Sequence, residues 1–230
     1  MYIFVNLGFA TAKAVNLIIM EIISAILQNY LENSCETESD WLKHIDRETH
    51  LKTTLPRMLS GHFQGRVLSL LSKLVAPTRI LEIGTFTGYA TLCLAEGLTK
   101  DGLIHTIDVN KELEDLIKDN FYQSPYYEKI RFHLGEAHSI IPNLDDIFDL
   151  VFIDADKKNN AVYYDLIFDK IRNGGLILVD NVLWNGKVHE GKTDSDTLSI
   201  SEFNQKIITD TRVEKLILPI RDGIFVIRKK

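Results

Sequence analysis

From residue 79 to the carboxyl end, short apolar runs alternate with longer stretches whose apolar positions recur at helical spacing. The runs at 79–83, 103–107, 130–134, 149–153, 175–179, 214–218 and 223–228 predict seven strands, and helices are expected near 88–98, 110–122, 137–142, 160–171 and 199–209. Ahead of them, helical patterning covers 20–32, 40–50 and 64–75. The last of these carries Val67, Leu68, Leu70, Leu71 and Leu74 on a broad apolar face. Regular alternation of strand and helix predicts an α/β fold, a Rossmann-like, doubly wound, seven-stranded, mostly parallel sheet with helices on both faces and right-handed crossovers. The closing pair, with Pro219, Arg221, Asp222 and Gly223 between its strands, predicts an antiparallel hairpin and hence an antiparallel last strand.

The first 20 residues are strongly apolar, with Lys13 their only charge. A membrane span wants about 20 uninterrupted apolar residues, and Asn6, Lys13, Asn16 and Glu21 break this run. Neither a charged start nor a small-residue cleavage site marks a signal peptide. The expectation is an upstream extension over 1–19, with Met20 as the functional start, followed by an amphipathic helix that packs on the domain or on a partner subunit. Composition supports a non-membrane reading: 230 residues, 45% hydrophobic and 25% charged, suit one α/β domain with a sizeable core. A net charge of −6 argues against a nucleic-acid partner, which needs a basic face. Cys35 and Cys93 read as unpaired thiols, which fits a cytoplasmic location.

Residues 80–91 carry the most specific chemistry. An apolar strand ends in Glu82, and Gly84 and Gly88 bracket a turn that runs into a helix. Such turns bring the backbone close to a ligand at the carboxyl end of a strand. Asp108 ends the next apolar run, 20 residues beyond Gly88, where such folds hold ribose hydroxyls. The pattern is Glu-x-Gly-x-x-x-Gly and lacks the Gly-x-Gly-x-x-Gly that wraps a pyrophosphate. Glu82 repels phosphate but can help hold a cationic amino group. S-adenosylmethionine (SAM), with an amino group, a ribose, an adenine and no phosphate, fits this arrangement better than a dinucleotide.

A second constellation follows. The strand at 149–153 ends in Asp154, Asp156 and Lys157, and the strand at 175–179 ends in Asp180 and Asn181. If these strands are parallel neighbours, Asp154, Asp180 and the amide oxygen of Asn181 form a cluster of three hard oxygens. Such a cluster suits a divalent cation, Mg²⁺ first and Mn²⁺ or Ca²⁺ after it. Lys157, three residues past Asp154, can reach the same opening, and a like charge beside it would favour its free-amine form, as a general base requires.

Glu82-Ile-Gly-Thr-Phe-Thr-Gly-Tyr, Asp154-Ala-Asp-Lys157, Asp180-Asn-Val-Leu-Trp-Asn-Gly186 and the segment from Pro56 to Gly65 together resemble the cation-dependent O-methyltransferases. These are class I SAM-dependent enzymes that include caffeoyl-CoA and catechol O-methyltransferases and their small bacterial relatives. The resemblance covers residues 55–230. It implies that Asp154, Asp180 and Asn181 bind the metal and that Lys157 is the catalytic base. It further implies that Ser60, Glu82, Gly84, Thr85, Phe86, Ala90, Asp108, Ala137 and Asp156 contact the methyl donor, and that Asn185 contacts the acceptor. Trp184 is expected to line the acceptor pocket. Ala90 stands where a serine is usual and Glu136 where an Asp is frequent. The stretch 187–198 matches no acceptor signature.

The implied organisation is an N-terminal extension with helices over 1–55, on the dimer and acceptor side, and a methyltransferase domain over 56–230. The implied reaction moves a methyl group from SAM to one hydroxyl of a vicinal dihydroxy aromatic small molecule, in a homodimeric enzyme. Two alternatives stand beside it. A catalytically silent SAM-binding module would be expected to lose Asp154, Lys157, Asp180 or Asn181, all of which are present. An NAD-dependent dehydrogenase would need the missing third glycine.

Overall fold

The computed structural model describes residues 25–191 and 194–230. The apolar extension, Met20 and the first part of the helix expected at 20–32 lie outside the described residues. Seven strands form one sheet in the order β3-β2-β1-β4-β5-β7-β6. They are β1 (Arg79–Ile83), β2 (Leu103–Asp108), β3 (Ile130–Leu134), β4 (Phe148–Ile153), β5 (Ile171–Val179), β6 (Val213–Leu218) and β7 (Ile224–Lys229). β7 pairs antiparallel with both β5 and β6, so the closing hairpin is inserted against β5, while the other pairs are parallel. The order reverses between β1 and β4, and at such a switch point the strand ends open a crevice for ligands.

The helices are α1 (Ala25–Asn33), α2 (Asp40–Lys52), α3 (Gly61–Val75), α4 (Tyr89–Ala95), α5 (Glu114–Tyr122), α6 (Ala137–Ile140), α7 (Asn160–Phe168) and α8 (Ser195–Thr209). Two buried clusters cover the two faces of the sheet. One gathers Ile83, Val151, Ile167, Phe203 and Phe225; the other gathers Leu42, Ile45, Leu68, Leu92 and Phe152. Alternate residues of β4 therefore point to opposite faces, and both are apolar because both are covered. α2 contributes Leu42 and Ile45 to the core, and its buried Thr49 hydroxyl donates to Thr87 at 2.8 Å.

Some boundaries differ from the sequence expectation. β5 begins at Ile171, inside the helix expected to reach 171, because Ile171 pairs with Phe148 across an irregularity before Leu150. Gly174, just outside the expected strand, lies within β5 together with Gly175. α8 starts at Ser195, four residues early, because Asp194 caps it: the Asp194 carboxylate accepts from the Thr197 backbone N–H at 3.1 Å.

Candidate active site

A cavity of about 1420 Å³ opens at the carboxyl ends of β1, β2, β4 and β5. Ligand pockets commonly span about 300–1,000 Å³, so this one has room for two small molecules together. On one side it is walled by Ser60, Gly84, Thr85, Phe86 and Ala90, with Asp108 and Ala137 at the edge. On the other side stand Asp154, Asp156 and Lys157, then Asp180, Asn181, Trp184 and Asn185. The sequence-expected site residues thus meet in one place, with a single exception.

The exception is Glu82. Expected at the donor's amino group, it is instead wholly buried beneath the turn and does not line the cavity. Its register partner on β2 is Thr106, whose hydroxyl donates to Glu82 Oε2 at 2.6 Å, and the Thr91 hydroxyl donates to the same oxygen. Burial, with smaller contributions from the charges of Asp154 and Asp108, pushes the Glu82 carboxyl up to about 8 against the two hydroxyls that favour its ionised form.

The glycine turn is held by Asp108. Its Oδ2 accepts from the backbone N–H of Thr85 at 3.0 Å and of Phe86 at 2.7 Å, and its Oδ1 accepts from Asn110 N–H at 2.8 Å. The carboxylate is therefore bracketed by three backbone donors while still facing the cavity. Gly84 (φ 100°) has a different neighbour than a ligand: a Cβ there would lie 2.1 Å from the carbonyl oxygen of Asp154. Gly88 (φ 91°) is equally constrained, since a Cβ would meet the Phe121 ring at 2.3 Å. Both glycines are required by packing as well as by conformation.

Across the cavity, β4 and β5 run side by side with Ile153 opposite Val179, which brings the next residues, Asp154 and Asp180, to adjacent strand ends. Lys157 Nζ donates to Asp154 Oδ1 at 2.8 Å. Asp180 is buried, and its two oxygens accept from Gln64 Nε2 at 2.7 Å and from Asn181 N–H at 2.8 Å. Burial first, and then the negative charge of Asp154, hold the Asp180 carboxyl above the usual carboxylate range. Asn181 follows with φ 61°, a left-handed conformation tolerated by Asn. Among the described residues no group of three His, Cys, Asp or Glu side chains is gathered for a metal. The donor set here is two carboxylates and the amide of Asn181. A buried Asp180 whose proton affinity is raised by burial and by the neighbouring Asp154 is an environment that a divalent cation relieves, so the residues fit a hard cation.

This side of the cavity ends in a tight turn, Trp184–Gly186, in which Trp184, Asn185 and Gly186 all take positive φ. Trp184 lines the cavity, with Lys187 Nζ 5.9 Å from its ring centroid. Asp156 Oδ1 accepts from the Tyr163 hydroxyl at 2.5 Å and Oδ2 from Asn159 Nδ2 at 2.5 Å. Tyr163, Arg221 and Asp222 are residues that the motifs did not flag, and Gln64, inside the Pro56–Gly65 segment, had no role assigned. Tyr163, Arg221 and Asp222 line the cavity, and Gln64 supports it from behind. His62 has a separate role, its Nε2 lying 2.8 Å from the Glu36 carbonyl oxygen, and His138 and His189 are exposed.

The family profile described as O-methyltransferase matches residues 31–230. The chain belongs to the O-methyltransferase family. This match reaches further toward the amino end than the motifs did, taking in α2. Among similar proteins, caffeoyl-CoA O-methyltransferase 1 of Eucalyptus globulus is 33% identical over 219 residues, covering 89% of this chain and 88% of that protein. Tricin synthase 2 of Oryza sativa subsp. japonica is 35% identical over 223 residues, covering 90% and 75%. The O-methyltransferase from Bacillus cereus, solved in complex with SAH (S-adenosylhomocysteine), superposes with a TM-score of 0.82 at 27% identity, covering 89% of this chain and 97% of that one. TomG from Streptomyces achromogenes, solved with SAM, gives a TM-score of 0.82 at 27% identity, covering 88% and 95%. The family and the doubly wound fold read from the motifs are both borne out. No helix among the described residues is long and apolar enough to cross a membrane.

Proposed function

We propose that this O-methyltransferase transfers the methyl group of SAM to one hydroxyl of a vicinal diol on an aromatic ring, with a divalent cation held by Asp154, Asp180 and Asn181. The observation that carries the reading is the meeting, in one cavity, of the Asp108-braced glycine turn with the Asp154–Asp180 pair and Lys157. SAM takes the turn side, where Gly84, Thr85, Phe86, Ala90 and Asp108 lie, with Ser60, Ala137 and Asp156 at its margins. The naming of relatives for caffeoyl-CoA and tricin, and of neighbours solved with SAM or SAH, supports this assignment.

When bound, the cation would supply Lewis acidity to the two acceptor oxygens. The protein's own groups do the rest. Trp184 and Asn185 border the acceptor and set its orientation. Lys157 accepts the proton of the attacking hydroxyl as general base. The acceptor oxygen forms its bond to the methyl carbon as the carbon–sulfur bond breaks and the electron pair passes to sulfur, leaving SAH. Orientation in a shared cavity is the main contribution of the fold.

Activity with SAM and a catechol should vanish in excess chelator and return with Mg²⁺ or Mn²⁺. Full turnover by metal-free protein would overturn the metal assignment, and failure across catechols, caffeate esters and flavonoids would overturn the acceptor class. The exposed Ile26 and Tyr30 of α1 and the exposed Leu70 and Leu74 of α3, two helices in contact, support a homodimer built through apolar surface. Sedimentation of the full chain and of the chain from Met20 tests both the dimer and the part played by residues 1–19.

A further inference from the structure

The turn at 219–223, between β6 and β7, touches both sides of the cavity. Arg221 Nη1 donates to the carbonyl oxygen of Leu59 at 2.7 Å and to that of Ser60, and its Nη2 donates to the carbonyl of Arg57 at 3.3 Å. The neighbouring Asp222 reaches the other way. Its Oδ1 accepts from Asn185 N–H, and its carbonyl accepts from Leu183 N–H at 2.9 Å. Gly223 then packs so closely that a Cβ would lie 2.4 Å from Leu183 Cγ. One short turn therefore grips the segment around Ser60, on the donor side, and the Trp184–Gly186 turn, on the acceptor side.

The backbone says that the arginine is there for its side chain. Arg221 sits at φ 48°, a left-handed conformation that glycine adopts without steric cost and that a residue with a Cβ adopts only under strain. A position whose backbone favours glycine nevertheless carries the longest cationic side chain. Its guanidinium fork is suited to several carbonyls at once, which a lysine ammonium on a flexible stem satisfies less well. The segment it holds leads directly into α3, and α3 carries Gln64, the partner of Asp180.

The geometry points to Arg221 as a positioning residue: it fastens the 57–60 segment along the methyl donor and keeps it in fixed relation to the acceptor turn held by Asp222. The inference rests on the donor site proposed above. It assigns no chemistry to Arg221 itself. Donor affinity, not the rate of the chemical step, is what the clamp serves.

Arg221→Gly separates this role from folding, because glycine relieves the positive φ while removing the fork. The melting temperature should stay close to that of the wild type, because relief of the positive φ offsets part of the lost hydrogen bonding. SAH affinity by calorimetry should fall about tenfold, the scale of losing hydrogen bonds to a charged group. The KM for SAM should rise with kcat largely kept, and Arg221→Lys should fall between. Trypsin offers a readout that needs no ligand: cleavage at the Arg57–Met58 bond should quicken in Arg221→Gly, since the carbonyl of Arg57 is released. Unchanged SAH affinity in the folded variant would overturn the positioning role, and so would weakened affinity with no change in cleavage at Arg57–Met58. If the wild-type protein itself binds no SAH, the donor reading fails, while the cleavage comparison still reports whether Arg221 clamps the segment.

Discussion

Gln64 and Asp180, 116 residues apart, are joined by a 2.7 Å hydrogen bond from the side-chain amide of Gln64 to Asp180 Oδ2. Both are buried, and the Gln64 carbonyl oxygen has no partner of its own. The bond fixes which way the Asp180 carboxylate faces and favours its ionised form. Gln64→Leu should keep the fold but leave Asp180 free to turn. Mn²⁺ binding, followed by calorimetry, should weaken by about 10–100-fold, the usual effect of removing a residue that orients a ligand. Unaltered Mn²⁺ affinity would show that Asp180 needs no such orientation or does not bind the cation.

Lys157→Ala should spare SAH binding and lower kcat by about 10²–10⁴-fold, the contribution of a positioned acid–base group. The loss should be smaller for a nitrocatechol, whose hydroxyl sheds its proton unaided, than for catechol. Equal losses for the two acceptors, with chemistry rate-limiting, would mean that Lys157 places the substrate instead.

Asp108→Ala removes the acceptor of three backbone N–H groups as well as a cavity wall. Donor affinity and thermal stability should therefore fall together, each by about 1.5–3 kcal/mol, the range for hydrogen bonds to a charged group. Calorimetry with SAH and a melting curve on the same sample check this. Loss of affinity with stability intact would mean that the turn keeps its shape without the carboxylate.

Glu82 gives a pH signature. Its carboxyl is raised from an ordinary 4.5 to about 8 in the folded protein, so the folded state holds the proton more tightly than the unfolded one. The stability this contributes is complete below pH 4.5 and is lost as pH rises through about 8. Glu82→Gln, which cannot ionise, should flatten the decline in melting temperature between those limits. A variant with the same slope as the wild type would mean that Glu82 is ionised in the fold throughout.

The strands and the two motif clusters were legible because each is written in consecutive residues: an apolar run, then acidic or glycine punctuation. Strand ends converge on one edge by topology, so reading the runs was enough to bring Asp108, Asp154 and Asp180 together. Glu82 was misplaced for a related reason. A carboxylate near a strand end looks like a site residue, but side chains alternate between faces, and the one at 82 turns toward Thr106 and Thr91. Gln64, Arg221 and Asp222 escaped notice because their partners lie far away in sequence and no local spacing encodes them. The early start of β5 escaped because residues 171–173 continue the helical pattern ahead of them, while the pairing of Ile171 with Phe148 is visible only across the sheet.

Gly84 leaves no room even for a methyl group between the glycine turn and the carbonyl of Asp154. The span between the two halves of the cavity is consequently gauged by main chain resting on main chain. Side chains along the wall, Ala90 and Glu136 among them, can drift through evolution without altering that gauge. A lineage of such proteins can thus exchange one acceptor for another by rewriting the rim, while the distance over which a methyl group must travel stays inherited from the skeleton.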